Sequence, residues 1–395
     1  MTRIREPWLS RPETQAVCGA LTDGGAQALF VGGCVRNALL GESASDIDIA
    51  TDARPERVMD LAKAAGIKAV PTGIAHGTVT LVKGGIPHEI TTFRRDVETD
   101  GRRAVVAYSG SVAEDAARRD FTMNALYASP DGSILDPLGG LPDLEARRVR
   151  FIGDAGARIR EDYLRSLRYF RFHAWFGDPQ AGFDDAALDA IAANLDGLQR
   201  LSRERVGVEM LKLLAAPDPA PAVAAMRSTG ALARVLPGAD DRALAPLVHL
   251  ESLMGAEADA IRRLAALGGS DPASGLRLSR AQTSALATLR DAAQGTASPA
   301  ELGYRLGYKA ALDSVLLRAA LLEAPLPPEA VADAEKGASA VFPIRAADLM
   351  PAYSGPALGA KLTALETKWI ASGFALGRDD LLADGRDPDN GEQKG

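Results

Sequence analysis

The fold is decided by Ala28-Leu-Phe-Val-Gly-Gly-Cys-Val-Arg-Asn-Ala-Leu-Leu40, followed by Asp46-Ile-Asp-Ile-Ala50. An apolar run leads into two glycines, a helical stretch follows, and an alternating run of polar and apolar residues ends the segment. This order predicts a βαβ-like arrangement that opens a nucleotide site. Glycines at the turn let main-chain N–H groups approach phosphate oxygens, so Gly32 and Gly33 are predicted to bind nucleotide.

Asp46 and Asp48 are the first candidate catalytic residues. In an Asp-x-Asp pair on a strand both carboxylates lie on one face, because side chains alternate. Two adjacent carboxylates favour a divalent cation, and carboxylates with substrate phosphates are the usual ligands of Mg²⁺. An isolated Asp-x-Asp also occurs in solvated turns; its combination with the glycine turn favours the metal site. Glu89, in a later β-rich run, is the candidate third catalytic carboxylate, the alternative being an exposed strand residue.

The rest of the chain changes from β-rich to helical. Runs at residues 76–82 and 86–93 flank the turn Lys83-Gly-Gly85 and predict a hairpin. The polar stretch 94–108 is expected to be a mobile loop over the sheet. After residue 112 helical periodicity persists, and from about residue 180 short amphipathic segments are separated by proline or glycine. We therefore predict an α+β fold, with a small mixed sheet and helices followed by an all-α region.

Composition and charge restrict the class of protein. The 395 residues are 47% hydrophobic and 25% charged, which is typical of a globular chain of two or three domains. The net charge of -7 argues against a general polyanion binder. However, residues 94–171 hold 14 basic residues, all of them arginine, the side chain that binds phosphate bidentately. The acidic balance therefore does not exclude RNA.

The expected compartment is the cytoplasm. Cys18 and Cys34 have no partners at metal-binding spacing, and two thiols in a chain of this length suggest a reducing environment. The N-terminal residues have no secretory apolar region, and no apolar run approaches the roughly 20 residues that span a bilayer. We expect no membrane partner.

Three further motifs follow the opening segment: Arg118-Arg-Asp-Phe-Thr-Met-Asn-Ala125, Asp136-Pro-Leu-Gly-Gly-Leu-Pro-Asp-Leu144 and Glu161-Asp-Tyr-Leu-Arg-Ser-Leu-Arg168. With these four segments in order, the sequence resembles the class II tRNA nucleotidyltransferases, that is, the CCA-adding enzymes and their bacterial poly(A) polymerase relatives in the polymerase β-like superfamily. One departure is Asn37, where the family usually has Asp. We interpret it as a variation at the helix start rather than the loss of a metal ligand.

The resemblance implies a domain order and a reaction. It implies a polymerase β-like nucleotidyltransferase head at residues 1–140, a helical neck with the nucleotide-selecting motif at 141–215, a helical body and tail that binds tRNA at 216–383, and a flexible C-terminus at 384–395. It also implies Mg²⁺-dependent addition of CMP, CMP and AMP, from CTP and ATP, to tRNA lacking its 3′ CCA. The alternatives are a bacterial poly(A) polymerase, a partial CC- or A-adding enzyme, and a non-catalytic RNA-binding protein.

Asp162 and Arg165 lie three residues apart on a predicted helix, and the resemblance implies that they select the incoming nucleotide. Arginine donors and an aspartate acceptor can match the base edges of cytosine and adenine. A surface ion pair between them is the alternative. The resemblance also implies nucleotide contacts at the ribose 2′-hydroxyl for Asp120, at sugar or phosphates for Arg119 and Asn124, at phosphates for Arg36, and within the same nucleotide site for Arg168.

Other polar residues have competing interpretations. For Asp120, a helix cap or an ion pair with Arg118 is the alternative. Asp136 and Asp143 are expected to stabilise the joint between head and neck rather than perform chemistry. Arg200, Arg203 and Arg205 begin a predicted helix that fits either a solvated face or contact with an RNA backbone.

Overall fold

The computed structural model describes residues 2–43, 46–97 and 105–383. The chain forms two compact units, Met1–Ala239 with Gly269–Arg277, and Asp240–Gly268 with Leu278–Gly395. The domain borders predicted after residues 140 and 215 lie within the first unit and stay predictions, and the predicted flexible segment 384–395 lies outside the described residues. None of the helices in the described ranges has the length and apolar character that a bilayer crossing requires.

The first unit contains the β-structure. Its strands, in chain order, are β1 (Leu29–Val31), β2 (Asp48–Thr51), β3 (Lys68–Gly73), β4 (Thr78–Lys83), β5 (Ile86–Thr92), β6 (Arg94–Val97), β7 (Val105–Tyr108), β8 (Tyr127–Ala128) and β9 (Ile134–Leu135). Across the described residues, a 7-stranded sheet has the order β3-β4-β5-β2-β1-β8-β9. It is mixed, because β2 pairs in parallel with β5 and antiparallel with β1. The predicted α+β class is confirmed.

The predicted hairpin is confirmed, since β4 and β5 pair antiparallel with Lys83 opposite Ile86. The opening segment differs from the βαβ-like prediction, because β1 and β2 are antiparallel neighbours. Side-chain alternation identifies a strand, but the direction of its neighbours is set by pairing with distant parts of the chain. In addition, β2 begins at Asp48, so Asp46 precedes the strand instead of lying on it.

The stretch 94–108, predicted as a mobile loop, forms a β-strand at each of its two ends. β6 and β7 pair antiparallel in a separate two-stranded ribbon, with Arg94 opposite Tyr108. Valine and tyrosine favour extended backbone, which explains why this polar stretch still forms strands. Residues 98–104, between the two strands, lie outside the described residues.

Helices make up the remainder of both units. In chain order they are α1 (Pro12–Thr22), α2 (Gly33–Leu40), α3 (Pro55–Ala64), α4 (Val112–Ala117), α5 (Leu141–Glu145), α6 (Ala155–Glu161), α7 (Leu164–Phe176), α8 (Asp185–Ala193), α9 (Arg203–Leu214), α10 (Ala220–Ser228), α11 (Ala231–Val235), α12 (Leu244–Leu253), α13 (Ala260–Leu267), α14 (Pro272–Gly275), α15 (Arg280–Gln294), α16 (Pro299–Leu306), α17 (Tyr308–Leu321), α18 (Ala330–Ser339), α19 (Ala346–Leu349), α20 (Gly355–Ala371) and α21 (Arg378–Ala383). Short 3₁₀ turns occur at Ile74–His76, Thr122–Asn124 and Leu195–Arg200.

An aromatic core fixes α7 against the segment that follows α4. The Phe121 ring centroid lies 5.0 Å from those of Phe151 and Phe172, and Phe151 stacks on Tyr169 at 5.6 Å. Phe121 and Tyr169 are fully buried. Because aromatic packing of this kind adds to the burial of apolar area, it fixes the middle of α7 against Phe121 and Phe151.

The second unit has a buried ionic cluster among its helices. Arg262 donates its Nε to Glu251 at 2.8 Å and its Nη1 to Asp313. Arg263 donates its Nη2 to the other oxygen of Glu251 at 2.7 Å. These arginine side chains are only 2% exposed, so each charge depends on its partner for stabilisation.

Candidate active site

A cavity of about 440 Å³ lies in the first unit, beside β2 and β5. It receives side chains from three of the four sequence motifs, and the Asp136–Leu144 segment is the motif that contributes none. Its charged lining residues are Asp48, Glu89, Arg94, Arg118, Arg119, Asp120, Asp162, Arg165, Arg168 and Arg205. Arginines outnumber carboxylates in this lining, which suits an anionic ligand that carries several phosphates.

Asp48 and Glu89 approach the cavity from neighbouring strands. They are register partners in the parallel pair β2 and β5, so their side chains leave the sheet at the same level. Burial, together with the nearby carboxylates of Glu89 and Asp46, raises the pKa of Asp48 to about 6. A bound cation would relieve this repulsion between like charges.

The carboxylates of Asp46, Asp48 and Glu89 are suited to a cation that binds together with the phosphates of a substrate. Within the described ranges, no three His, Cys, Asp or Glu side chains converge into a preformed metal site. Mg²⁺ is commonly held by one or two carboxylates together with substrate phosphates and water. Asp46 and Asp48, with Glu89 alongside, are suited to that mode, because phosphate oxygens would complete the ligand set.

Asp120 is buried in the cavity wall, and both of its carboxylate oxygens are hydrogen-bonded. Arg168 donates Nε and Nη2 to Oδ2 at 2.8 and 2.5 Å, and Asn124 donates Nδ2 to Oδ1 at 3.0 Å. Burial alone would raise the pKa of Asp120, but the Arg168 guanidinium lowers it below its usual value. Neither alternative considered for Asp120 is found, since it caps no helix and Arg118 pairs with another carboxylate.

Sequence reasoning missed Asp115, which organises the paired arginines. Its side chain is 1% exposed and forms ion pairs of 3.0 Å with both Arg118 and Arg119. Tyr127 donates its hydroxyl to the same carboxylate at 2.7 Å. Burial alone would raise the pKa of Asp115, but the two guanidinium groups lower it to about 2. The i, i+3 and i, i+4 spacing of an acid before two arginines was the available signal.

Arg36 is placed differently from the prediction. It is not among the residues that line the cavity, and its guanidinium lies 3.9 Å from the ring centroid of Phe176. It donates to the side-chain oxygens of Asn124 at 2.6 Å and Asn37 at 2.8 Å. Burial lowers the pKa of Arg36 to about 10. Arg36 thus connects α2 to Asn124 and α7, and its predicted contact with phosphates stays a prediction.

The local backbone and hydrogen bonds explain why glycine occupies the turn before α2 and why asparagine occupies position 37. Gly32 precedes α2 with φ of 74°, a backbone conformation that favours glycine, and Gly33 begins the helix. Neither glycine lines the cavity, although the adjacent Val31 does. Asn37 accepts from Arg36 and donates its Nδ2 to the Ser43 carbonyl at 2.9 Å. An aspartate could not make the second bond, which supports the interpretation of Asn37 as a structural variation.

Asp162 and Arg165 both line the cavity, as expected for a pair that acts together. They do not pair with each other in this structure: Asp162 forms an ion pair of 2.7 Å with Arg205, and Arg165 pairs with Glu161 at 2.5 Å. The Asp162 side chain is 34% exposed and that of Arg165 is 15% exposed. Both can therefore be reached by a ligand that enters the cavity.

Helix α9 supplies two charged residues to the same region. Arg205 lines the cavity, so of the predicted group Arg200, Arg203 and Arg205 it is the one placed beside the candidate nucleotide site. Glu209, one turn later, is buried; it pairs with Arg171 at 2.5 Å and lies 3.8 Å from Arg168. Sequence reasoning missed Glu209, because its partners are on another helix.

Asp136 and Asp143 make structural contacts, and their expected role at a joint between head and neck stays a prediction. Asp136 accepts hydrogen bonds from the main-chain nitrogens of Gly140 and Leu141, at 2.8 and 2.9 Å. Asp143 is buried and accepts from the Thr122 hydroxyl at 2.7 Å, besides pairing with an arginine. Neither carboxylate lines the cavity, and both hold neighbouring segments together.

The sequence is similar to known proteins both in the sheet-containing region and in the helical region that follows it. The sequence matches the family "Poly A polymerase head domain" over residues 28–150 and the family "Probable RNA and SrmB- binding site of polymerase A" over residues 183–242. It is 44% identical over 186 residues to the mitochondrial CCA tRNA nucleotidyltransferase 1 of Homo sapiens, covering 47% of this chain and 43% of that protein. It is also 44% identical over 219 residues to the CCA-adding enzyme of Geobacillus thermodenitrificans, covering 54% of this chain and 52% of that protein.

The matches thus span about half the length of these curated relatives. Structural similarity extends further. The CCA-adding enzyme of Bacillus stearothermophilus, solved in complex with CTP, is 28% identical, with a TM-score of 0.73 over 97% of this chain and 98% of that one. Motifs, fold and similarity agree: residues 28–150 and 183–242 match the two poly(A) polymerase families, and the chain is similar in sequence and fold to class II CCA-adding enzymes.

Proposed function

We propose that this chain is a CCA tRNA nucleotidyltransferase, which adds CMP, CMP and AMP from CTP and ATP to the 3′ end of tRNA and releases pyrophosphate. The observation that carries the proposal is the single cavity in which Asp48 and Glu89 meet Asp162 and Arg165. One set supplies carboxylates for nucleotidyl transfer, and the other supplies a donor and an acceptor for a base edge. The similar Bacillus enzyme that was solved with CTP supports this assignment.

The reaction joins the 3′-hydroxyl of the RNA to the α-phosphorus of the nucleotide, as the bond to pyrophosphate breaks. Asp46 and Asp48 would hold Mg²⁺, which, when bound, lowers the pKa of the attacking hydroxyl and neutralises charge on the leaving pyrophosphate. Glu89 stands beside Asp48 and adds negative charge to that cation site. Arg118 and Arg119, oriented by Asp115, present positive charge to the same cavity.

The helical side of the cavity would select the nucleotide. Asp162 accepts from an exocyclic amino group, and Arg165 donates to ring nitrogen or carbonyl acceptors, which describes cytosine and adenine but not uracil or guanine in the same pose. Arg119, Asp120 and Arg168 line the cavity, Asn124 donates to Asp120, and this group would bind the ribose. Since the oxygens of Asp120 already accept from Arg168 and Asn124, a 2′-hydroxyl would share this network with them.

Localisation is proposed on a separate observation. Cys18 and Cys34 are buried free thiols, and burial raises their pKa values to about 12 and about 11. Such thiols are inert, and their presence without a disulfide is consistent with the reducing cytoplasm.

A poly(A) polymerase is the second candidate, because both matched families are described by poly(A) polymerases. The test is incorporation of labelled CTP and ATP, with Mg²⁺, into tRNA transcripts that end before CCA, after C and after CC, alongside an unstructured RNA. CCA addition predicts stepwise growth that stops at CCA on tRNA alone, and no growth with an Asp46→Ala/Asp48→Ala double variant. Continued addition of A to either RNA would instead establish a poly(A) polymerase.

A further inference from the structure

Arg36 is connected to the cavity wall through one amide side chain. Its Nη1 donates to Oδ1 of Asn124 at 2.6 Å, and Asn124 donates its Nδ2 to Oδ1 of Asp120 at 3.0 Å. Asp120 lines the cavity, whereas Arg36 and Asn124 are not among its lining residues. Each of the three residues is at most 8% exposed. Two buried hydrogen bonds in series therefore lead from Arg36 to a carboxylate that faces the candidate nucleotide site.

The guanidinium of Arg36 fixes the direction of the Asn124 amide. A guanidinium has hydrogen-bond donors and no acceptor, so the atom of Asn124 that faces it must be the carbonyl oxygen. The amino group of the same amide is then turned towards Asp120, whose ionised carboxylate accepts and does not donate. In the opposite orientation two acceptors would meet at Asp120 and two donors at Arg36. Because buried polar groups without a partner cost free energy, the orientation that donates to Asp120 is strongly preferred.

Two aromatic rings of α7 and the side chain of Asn37 hold Arg36 in this position. The guanidinium carbon lies 3.9 Å from the ring centroid of Phe176 and 5.1 Å from that of Phe172. Arg36 also donates Nε and Nη2 to Oδ1 of Asn37, at 3.1 and 2.8 Å. Cation–π contacts and a neutral acceptor stabilise the guanidinium without cancelling its charge. Arg36 therefore presents a charged donor, in a fixed place, to Asn124.

The Asp120 carboxylate is consequently held at both oxygens. Oδ2 accepts from Nε of Arg168 at 2.8 Å, and Oδ1 accepts from Asn124 and from the main-chain nitrogen of Phe121 at 2.9 Å. A fixed, ionised carboxylate recognises a ribose 2′-hydroxyl, which is a donor that deoxyribose lacks. A change that lets Asp120 rotate should therefore weaken the preference for ribonucleotides and leave the choice of base intact.

We propose that Arg36 is a positioning residue for sugar selection: by fixing the Asn124 amide, it holds Asp120 in the orientation that accepts from the 2′-hydroxyl of the incoming nucleotide. This inference rests on the proposed function, since it concerns the ribose of the same substrate. Arg36 acts through its two neighbours and does not touch the nucleotide. The competing role is a direct contact with the phosphates. Loss of a phosphate contact would weaken CTP and dCTP equally, whereas loss of sugar recognition weakens CTP alone.

The test measures kcat/KM for CTP and for dCTP on a tRNA transcript that ends before CCA. Arg36→Met keeps an unbranched apolar side chain against Phe176 and removes every donor. The ratio of kcat/KM for CTP to that for dCTP should then fall by about tenfold, chiefly through the value for CTP. Arg36→Lys keeps a charged donor and should recover most of the ratio. Asn37→Asp keeps an acceptor for Arg36 and should match wild type.

A double-mutant cycle separates positioning from a purely structural role. Asn124→Ala removes the intermediate side chain, so it should lower the ratio as Arg36→Met does, and the double variant should lower it no further. Thermal denaturation establishes that each variant is folded at the assay temperature. If Arg36→Met is not folded, Arg36→Gln takes its place. A glutamine amide faces Asn124 with either an acceptor or a donor and does not fix its orientation, so the ratio should fall here too.

A ratio that is unchanged in the folded Arg36 variant, an equal loss for CTP and dCTP, or additive losses in the double variant would overturn the proposal while leaving the proposed function intact. The proposed function fails separately if wild-type protein incorporates no nucleotide into any transcript. In that case, isothermal titration calorimetry with CTP and dCTP decides the role of Arg36. A preference of wild type for CTP that is lost in the Arg36 variant supports it, and equal affinities of wild type for the two nucleotides, a preference that the variant retains, or binding of neither, overturns it.

Discussion

Replacement of Asp48 by Asn should stabilise the metal-free protein while it abolishes nucleotide transfer. Burial and the carboxylates of Glu89 and Asp46 raise the pKa of Asp48 from 3.8 to about 6. The charged form is thus disfavoured in the folded state, so the protein is less stable at every pH at which Asp48 is ionised. At about 1.4 kcal/mol per pH unit, the penalty amounts to about 3 kcal/mol.

The sign of the pH dependence follows from the raised pKa. Above about pH 7 the carboxyl is ionised in both the folded and the unfolded state, and the full penalty applies. As the pH falls through about 6, the folded state takes up the proton first, so the penalty is about half as large at pH 5 and close to zero below about pH 4. Asparagine carries no charge, so the variant lacks the penalty at every pH.

The assay is chemical denaturation of wild type and Asp48→Asn in EDTA at pH 4, 5 and 7.5. We expect the variant to be more stable by about 3 kcal/mol at pH 7.5, with the difference vanishing towards pH 4. Asp60→Asn, at an exposed position on α3, is the control and should differ from wild type by less than about 0.5 kcal/mol at each pH. A stability difference for Asp48→Asn that does not vary with pH, or a variant less stable at pH 7.5, would show that the ionised Asp48 does not destabilise the folded protein.

Three further predictions concern other contacts. Arg205→Gln removes the ion pair with Asp162, and the free energy of unfolding should fall by less than about 1 kcal/mol. Discrimination against UTP in single-nucleotide incorporation should weaken, because Arg205 no longer orients Asp162. Unchanged discrimination would contradict this orienting role of Arg205. Glu251→Gln leaves Arg262 buried beside a neutral partner and should cost about 3 kcal/mol in denaturant unfolding; a cost below about 1 kcal/mol would argue against a tightly coupled cluster. Gly207→Ala places a Cβ 1.9 Å from a main-chain carbonyl oxygen and should lower stability by about 2 kcal/mol, the expectation failing if stability is unchanged.

The sequence predicted those site residues whose chemistry is visible in a local motif. Asp48, Asp120, Asp162 and Arg165 were identified from motif spacing and resemblance, and all four line one cavity. Glu89 was inferred from a β-rich run without a motif of its own, and register with Asp48 brings it to the same place. Motif spacing and resemblance identified these residues, but the single helix predicted through Asp162 and Arg165 was wrong. Asp162 has extended backbone between α6 and α7, and Arg165 lies in the first turn of α7.

Residues whose role depends on long-range packing were not predictable in the same way. Glu209 forms its ion pair with Arg171 on another helix, and nothing within α9 indicates that contact. Arg36 was expected at a phosphate, but Phe176 and Asn124 enclose its guanidinium. The antiparallel pairing of β1 with β2 was missed for a similar reason, since strand direction depends on the whole sheet.

The most direct test of the account asks whether Asp162 selects the nucleotide. A tRNA transcript ending in CC is incubated with Mg²⁺ and equal concentrations of the four nucleoside triphosphates, and the added nucleotide is identified for wild type, Asp162→Ala and Asp189→Ala, a change at an exposed residue of α8. If Asp162 selects the nucleotide, wild type and Asp189→Ala add A, and Asp162→Ala loses the preference for A by at least about tenfold. An Asp162→Ala variant that adds A with wild-type preference would contradict it.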